Sequence, residues 1–174
     1  QAQAQFELAL QLNSQDLTTR VMAAEFFFNR GDVQSAQRIL KLESAETIED
    51  DRYWFLLCRI AEHLGHADEA FSFLQKALAR RPNDETYVLM LATLLRRMER
   101  LEDARTAARQ AAQLAKDHKQ LYLLSHQFDR NHPSADLCLK IADLLERSGN
   151  IEQSRAWRHV SQLITSAQSP TATP

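Results

Sequence analysis

The feature that most constrains this chain is a pattern of residues that recurs after 34 positions. Residues 51–84 and 85–118 align end to end, and the apolar positions of the first segment are apolar again in the second. The pairs are Trp54 and Val88, Leu57 and Leu91, Ala70 and Ala104, and Ala77 and Ala111. The same frame, moved back by one period, starts a further unit near residue 17. A period of this length in a helical sequence predicts a stack of similar units that bury their apolar faces against one another.

Each unit has the spacing of an amphipathic helix in its first half. In the unit at 51–84, the apolar residues follow the i, i+3, i+4, i+7 order that gives one buried stripe. They are Trp54, Leu57, Cys58 and Ala61. The second half places small residues at helical spacing, as in Ala70 and Ala77, and small residues let two antiparallel helices approach closely. We therefore expect one helical hairpin per unit.

The three glycines of the chain share one position in the repeat. Gly31, Gly65 and Gly149 each follow a predicted first helix at the same offset. A residue that adopts positive φ without strain can end a helix there and turn the chain. The unit at 85–118 has Glu99 at this position, so we expect its turn to be looser.

The unit at 51–84 resembles the tetratricopeptide repeat, whose pattern runs from Trp through Leu-Gly and Tyr to Ala-x-x-x-Phe and a final Pro. The matching residues are Trp54, Leu57, Ala70 and Pro82, and the departures are Cys58 for Gly, Ala61 for Tyr and Leu74 for Phe. The resemblance implies an all-α fold, a right-handed superhelix (solenoid) of antiparallel helix hairpins. It also implies that the stack presents a surface on which another protein is held.

The frame divides the chain into consecutive segments. They are residues 1–16, the second helix of a truncated preceding repeat; 17–50, 51–84 and 85–118, three repeats; 119–134, an inserted short helix; 135–168, a C-terminal repeat or capping pair; and 169–174, a disordered tail. The first segment lacks a first helix, and the sequence begins without a methionine. We therefore expect the solenoid to continue upstream of Gln1.

An alternative frame keeps the 34-residue spacing beyond residue 118. In that frame residues 119–129 form a shortened first helix, 134–148 form its partner and 151–166 form a terminal cap. The sequence leaves both frames open.

Composition limits the class of partner. Hydrophobic residues make up 44% of the chain and charged residues 25%, so the chain can bury a core. The formal net charge of −2, with both signs interspersed, gives no field that would recruit nucleic acid or an anionic membrane. No apolar run is long enough for membrane insertion. We expect a soluble protein, with the cytoplasm favoured although the compartment stays open.

No residue pattern points to catalysis, a metal or a cofactor. The sequence contains no nucleophile elbow, no phosphate-binding glycine loop and no H-E-x-x-H motif. His118, His126 and His132 are too far apart in sequence to form a tight ligand pair. Cys58 and Cys138 each lie in an apolar stripe, where a free thiol behaves as a small hydrophobe. We predict that the chain is not an enzyme and needs no cofactor.

One face of the first helices remains for binding. In the family that the sequence resembles, the face next to the buried stripe lines the concave side of the superhelix, and the resemblance implies the same here. We call these positions the predicted groove: Val21, Glu25, Phe28, Asn29, Arg52, Phe55, Arg59, Glu62, His63, Leu89, Thr93, Arg96 and Arg97. Aromatic rings beside arginines predict a protein or peptide partner with acidic and apolar side chains.

Two other functions stay open at this point. The truncated first segment would expose apolar residues such as Phe6, which favours a scaffold that self-associates as a homo-oligomer through its N-terminal helix. The chain could also be a regulatory repeat segment of a larger multidomain protein.

Overall fold

The computed structural model describes residues 2–13, 16–41, 48–129 and 132–168. Within these ranges every regular element is an α-helix, and successive helices pair as antiparallel hairpins in a right-handed superhelix. The helices are α1 (Ala2–Leu12), α2 (Leu17–Asn29), α3 (Val33–Leu40), α4 (Asp51–His63), α5 (Ala67–Arg80), α6 (Glu85–Arg97), α7 (Leu101–Gln127), α8 (Ala135–Arg147) and α9 (Ile151–Gln168). The predicted all-α solenoid is confirmed. The division into repeats stays a prediction, and its tail at 169–174 lies outside the described residues.

Acidic side chains fix where the first helices begin. The Asp50 carboxylate accepts hydrogen bonds from the backbone amides of Arg52 over 2.8 Å and Tyr53 over 3.4 Å. Asp84 caps α6 in the same way, one period later. These amides have no partner inside the first turn of a helix, so each cap stabilises the start of its helix. The caps therefore set α4 and α6 in the same register.

The turn at Glu99 is built like the turns that contain glycine. Glu99 has φ +60° and Gly65 has φ +82°. In both turns the backbone amide that follows donates to the carbonyl five residues earlier over 2.9 Å. The expectation of a looser turn was wrong, because this chain closes the helix with the same hydrogen bond and places a side chain in the left-handed region. That region costs a non-glycine residue about 1–2 kcal/mol.

Glu99→Gly is therefore expected to stabilise the protein by about 0.5–1 kcal/mol, since relief of the strain exceeds the extra entropy of the unfolded chain. Urea unfolding measures the change. Gln110→Gly is the matched control, because Gln110 is exposed in the interior of α7 and a glycine there costs about 1 kcal/mol. A loss of stability in Glu99→Gly would contradict the assignment of strain to this turn.

The core follows the predicted stripes. One buried cluster runs from α2 to α6 and includes Trp54, which is 2% exposed, and Leu74, which is fully buried. A second cluster joins α6 to α7 around Val88 and Ala111. Ala70 and Ala77 of α5 are fully buried, as the predicted close approach of two antiparallel helices requires.

Residues 119–127 do not form the separate short helix that the sequence predicted. They continue α7, which ends at Gln127. The alternative frame is wrong at the same point, since no helix begins at residue 119. The cause is the residue type at two positions of the repeat. Pro82 ends one unit and Asp84 caps the next helix. One period later these positions are Lys116 and His118. Without a helix-stopping proline or a capping carboxylate, the helix runs on.

Candidate protein-binding surface

The first part of the predicted groove joins α2 to α4 and is centred on Arg59. Its guanidinium donates to a carboxylate oxygen of Glu25 over 3.1 Å and to the side-chain oxygen of Asn29 over 3.0 Å. The same group lies over the Phe28 ring, 4.8 Å from the centroid. The edge of His63 meets Phe28 at 5.9 Å between ring centroids. The structure therefore brings these five predicted residues together as one connected patch.

The second part joins α4 to α6. Arg97 and Glu62 form an ion pair with a 2.6 Å separation. The ring of Phe55 packs on Tyr87 with centroids 4.4 Å apart, and the Tyr87 hydroxyl donates to Asp51 over 2.5 Å. Tyr87 and Asp51 were not among the predicted residues, yet they hold one side of Phe55 in place.

The remaining predicted residues differ in exposure. Val21 is only 4% exposed and packs in the buried cluster, although it also lines the small cavity between α2 and α4. Leu89 is 56% exposed. The Thr93 hydroxyl donates to the carbonyl of Leu89 over 3.1 Å, so its donor is satisfied within the helix. Arg96 is exposed, and no residue in the described ranges pairs with it.

Most of the positive charge in the predicted groove is already paired. Arg52 forms an ion pair with Asp50 at 3.1 Å, as Arg59 and Arg97 do with glutamates. The hydrogen bond to Asp50 raises the pKa of Arg52. Burial of the Asp50 carboxyl opposes ionisation, but hydrogen bonds from the Arg52 side chain and backbone prevail and lower its pKa. Arg96 is therefore the groove arginine whose charge is most available to a partner.

Cavities lie along the first helices in the described part of the chain. A cavity of about 150 Å³ lies between α2 and α4, with Arg52 and Phe55 in its wall. A larger cavity of about 330 Å³ lies between α6 and α7. Its lining residues are Leu89, Ala92, Thr93, Arg96, Leu101, Ala104, Arg105 and Ala108. The second cavity extends beyond the predicted groove onto α7, which the sequence analysis did not include.

A third cavity, of about 450 Å³, lies between α3, α4 and α5 and was also missed. The Phe73 ring stacks on Trp54 in its wall with centroids 6.0 Å apart, and the Lys76 ammonium lies 4.0 Å from the Trp54 centroid. Phe73 lies next to the apolar stripe of α5, and this position could have identified it in the sequence as a further apolar wall residue. Its wall combines the buried Trp54 with the exposed side chains of Glu69 and Lys76, so this cavity opens to the surface between the three helices.

The histidines that the sequence analysis considered as ligands lie apart. The His118 ring pairs with Glu85 at 2.9 Å, whereas that of His132 pairs with Asp129 at 3.0 Å. Within the described ranges no group of three or more His, Cys, Asp or Glu side chains is placed to hold a metal ion. Both cysteines are buried, and burial raises the pKa of the Cys58 thiol to about 12.

None of the helices in the described part of the chain combines the length and apolarity needed to cross a membrane.

Comparison with known proteins agrees with this architecture. Residues 51–84 match the family model of the tetratricopeptide repeat. No curated protein is similar enough in sequence to count as a relative.

Solved structures show the fold over nearly the whole chain. The crystal structure of MamA superposes with a TM-score of 0.60 at 12% identity, covering 97% of this chain and 89% of that one. TTC0263, a thermophilic tetratricopeptide-repeat protein of Thermus thermophilus, gives 0.58 at 19% identity, covering 98% and 83%. Pseudomonas aeruginosa PilF gives 0.58 at 17% identity, covering 96% and 67%. The fold is thus that of a tetratricopeptide-repeat protein, with the family's own sequence pattern recognised at residues 51–84.

Proposed function

We propose that this chain is a non-enzymatic protein-protein interaction module whose predicted groove holds a peptide or partner segment with acidic and apolar side chains. The observation that supports this most is the bridging of three first helices by side chains. Arg59 joins α2 to α4, and the Glu62–Arg97 pair joins α4 to α6. These bridges hold the face in one arrangement before a partner arrives, and a preformed surface loses less entropy on binding.

The chemistry of the partner follows from what the bridges leave free. Leu89 offers an exposed apolar side chain, and the cavity beside Phe55 can take a small apolar group. Arg96, at the α6 end of the face, offers a charge that is not paired with any described residue. Arg59 is engaged with Glu25 and Asn29, so it acts as a support for the surface. A partner segment would therefore place its apolar side chains near α4 and a carboxylate near the end of α6.

Arg96→Glu is expected to slow association of such a segment by roughly three- to tenfold at low salt, with a smaller change at high salt, because exposed charges act mainly through steering. The measurement is stopped-flow binding of an acidic-apolar peptide selected from a displayed random library against the immobilised chain. Arg155→Glu is the matched control, since Arg155 is an exposed arginine on α9 far along the chain from the groove.

Two results would contradict the proposal. One is a library selection that returns no binding peptide. The other is equal association rates for Arg96→Glu, for Arg155→Glu and for the unchanged chain, combined with unchanged complex lifetime in Phe55→Ala.

Self-association through α1 is the second candidate function, and one observation favours it. Leu8 is 55% exposed and Leu12 is 79% exposed, on one side of the first helix. Phe6 itself is not free, because its ring packs on Phe26 with centroids 5.0 Å apart. If copies of the chain pair through this surface, Leu8→Ser with Leu12→Ser converts a dimer into a monomer in sedimentation velocity. A chain that sediments as a monomer at high concentration excludes this candidate.

A further inference from the structure

Equivalent residues of successive hairpins form one apolar face that can be followed along the stack. Because the period is 34 residues, each member recurs at a fixed interval. The face consists of Val21, Ala24, Ala36 and Leu40 on α2 and α3; Phe55, Cys58, Ala70 and Leu74 on α4 and α5; and Leu89, Ala92, Ala104 and Ala108 on α6 and α7.

The first two of these faces are covered by the first helix of the next hairpin. On α3, Leu40 is 1% exposed, and the Tyr53 hydroxyl of α4 donates to its carbonyl over 3.1 Å. On α5, Leu74 is fully buried, and α6 brings Tyr87 against the neighbouring Phe55. In both cases, therefore, a single amphipathic helix covers the apolar face.

The third face has no such cover within the described part of the chain. Leu89 is 56% exposed and Leu101, at its edge, is 55% exposed. Ala108, the equivalent of the fully buried Leu74, is exposed. The cavity of about 330 Å³ described above is the space that a covering helix would fill. We call this cavity the α6–α7 slot.

The slot is open because α8 lies elsewhere. The side-chain amide of Asn83 donates to the carbonyl of Arg147 over 3.1 Å, and the Arg147 guanidinium lies 3.5 Å from the carboxylate of Asp117. The last turn of α8 thus reaches the loop from which α6 starts. A helix stacked like α4 or α6 would begin at that level, whereas α8 ends there, because α7 runs on to Gln127 before the chain turns back.

We infer that the α6–α7 slot binds one amphipathic helix of a partner protein, with bulky apolar side chains facing α7 and a carboxylate near Arg96. The inference rests on the proposed function and specifies where and in what conformation the partner binds. Bulky side chains are required because Cys58 and Leu74 of the covered face are replaced by Ala92 and Ala108, which leaves a deeper slot.

Charge also selects the occupant. In the covered hairpin, Glu62 pairs with Arg97 of the helix that covers it. The equivalent of Glu62 in the slot is Arg96, so the sign is reversed. Arg105, which pairs with Glu102 of its own helix, adds a second cation to the rim. A helix like α6 would meet repulsion here, whereas one with glutamate in place of Arg97 would be attracted.

The test uses a fluorescently labelled synthetic peptide of residues 85–97 that carries Arg96→Glu and Arg97→Glu, measured by anisotropy against the full chain. Ala108→Glu in the chain is expected to weaken binding by at least roughly tenfold, since a charge would be buried against apolar side chains. Gln110→Glu, on the opposite side of α7 and also exposed, is the matched control and leaves binding unchanged. Glutamate favours helix at both positions, so the fold is retained.

A charge exchange supplies the second measurement. The peptide with its arginines unchanged is expected to bind the chain several-fold more weakly, and Arg96→Glu in the chain is expected to restore its binding by a similar factor. Failure of this rescue, or equal peptide binding by Ala108→Glu and the unchanged chain, would overturn the inference. If Phe55→Ala weakens peptide binding while Ala108→Glu does not, the peptide binds in the predicted groove. The inference about the slot is then wrong, and the proposed function stands.

Other occupants give distinct results. A dimer in sedimentation velocity that Ala108→Glu dissociates would mean that a second copy fills the slot. Residues 119–127 of the chain itself would compete with the peptide if they left α7 and filled the slot. Leu124→Ser would weaken that competitor, so tighter peptide binding by this variant would mean that these residues fill the slot. Either result overturns the inference. If no peptide from the library selection binds at any surface, the proposed function fails as well.

Discussion

Trp54→Ala is expected to lower the free energy of unfolding by about 3–5 kcal/mol, the usual cost of truncating a large aromatic residue in a core. The side chain is 2% exposed, and its ring contacts Tyr53 edge to face and Phe73 in a stacked arrangement. Its indole nitrogen also donates to the carbonyl of Ile48 over 2.9 Å. The substitution removes both the packing and the hydrogen bond, and it enlarges the cavity among α3, α4 and α5.

Two further variants separate these contributions in denaturant unfolding. Trp54→Phe keeps an aromatic ring but loses the donor; it is expected to cost less than Trp54→Ala. The carbonyl of Ile48 also accepts a hydrogen bond from Arg80 over 2.6 Å, so it does not lose every partner. Trp157→Ala is the matched control, because Trp157 is half-buried and packs edge to face on Phe128. A cost below about 1 kcal/mol for Trp54→Ala would contradict the central position assigned to this residue.

The sequence predicted the architecture because the signals involved are local and repeated. The stripe of Trp54, Leu57, Cys58 and Ala61 needs only helical spacing to identify a buried face. Gly31, Gly65 and Gly149 mark the turns for the same reason, since positive φ is a property of one residue. A pattern that recurs with the period of the fold is reinforced at each repetition, so errors at single positions have little effect.

The details of the binding surface could not be read in this way. The sequence placed Arg59 on the predicted groove, but its partners Glu25 and Asn29 lie on another helix, and their approach depends on how the hairpins stack. The pattern placed Val21 on the predicted groove but does not show that most of its surface is covered. Side-chain partners across helices follow from tertiary geometry, which a single helical period does not contain.

Some signals were present but unused. Tyr53 and Tyr87 are separated by one period, and each hydroxyl group donates a hydrogen bond to the preceding hairpin. The Tyr53 hydroxyl bonds to Leu40 of α3, and the Tyr87 hydroxyl bonds to Asp51 of α4. Their recurrence could have identified them as anchors. The continuity of α7 was also visible, because Lys116 takes the position of Pro82 and His118 that of Asp84. The spacing of Leu121 and Leu124 favours a helix in this segment, but only the missing stop signal indicates that this helix continues α7.

Lys116→Pro tests that account of α7 and is expected to destabilise the protein by about 3 kcal/mol, the cost of proline in a helix interior. Lys116 lies well inside α7, more than two turns from either end of the helix. Proline removes its amide donor, and its ring clashes with the carbonyl of Ala112. Lys116→Ala is the control; because the side chain is exposed and alanine favours helix, a change within about 0.5 kcal/mol is expected.

Hydrogen exchange tells where the Lys116→Pro variant loses its structure. If α7 is one helix, amides of residues 119–127 lose protection while those of 101–111, which pack on α6 through Ala104 and Ala111, keep most of theirs. A cost below about 1 kcal/mol with residues 119–127 still protected would contradict a continuous α7. In that case proline acts as Pro82 does, ending one helix so that the next can begin, and residues 119–127 would then be able to cover the face formed by Leu89 and Ala108.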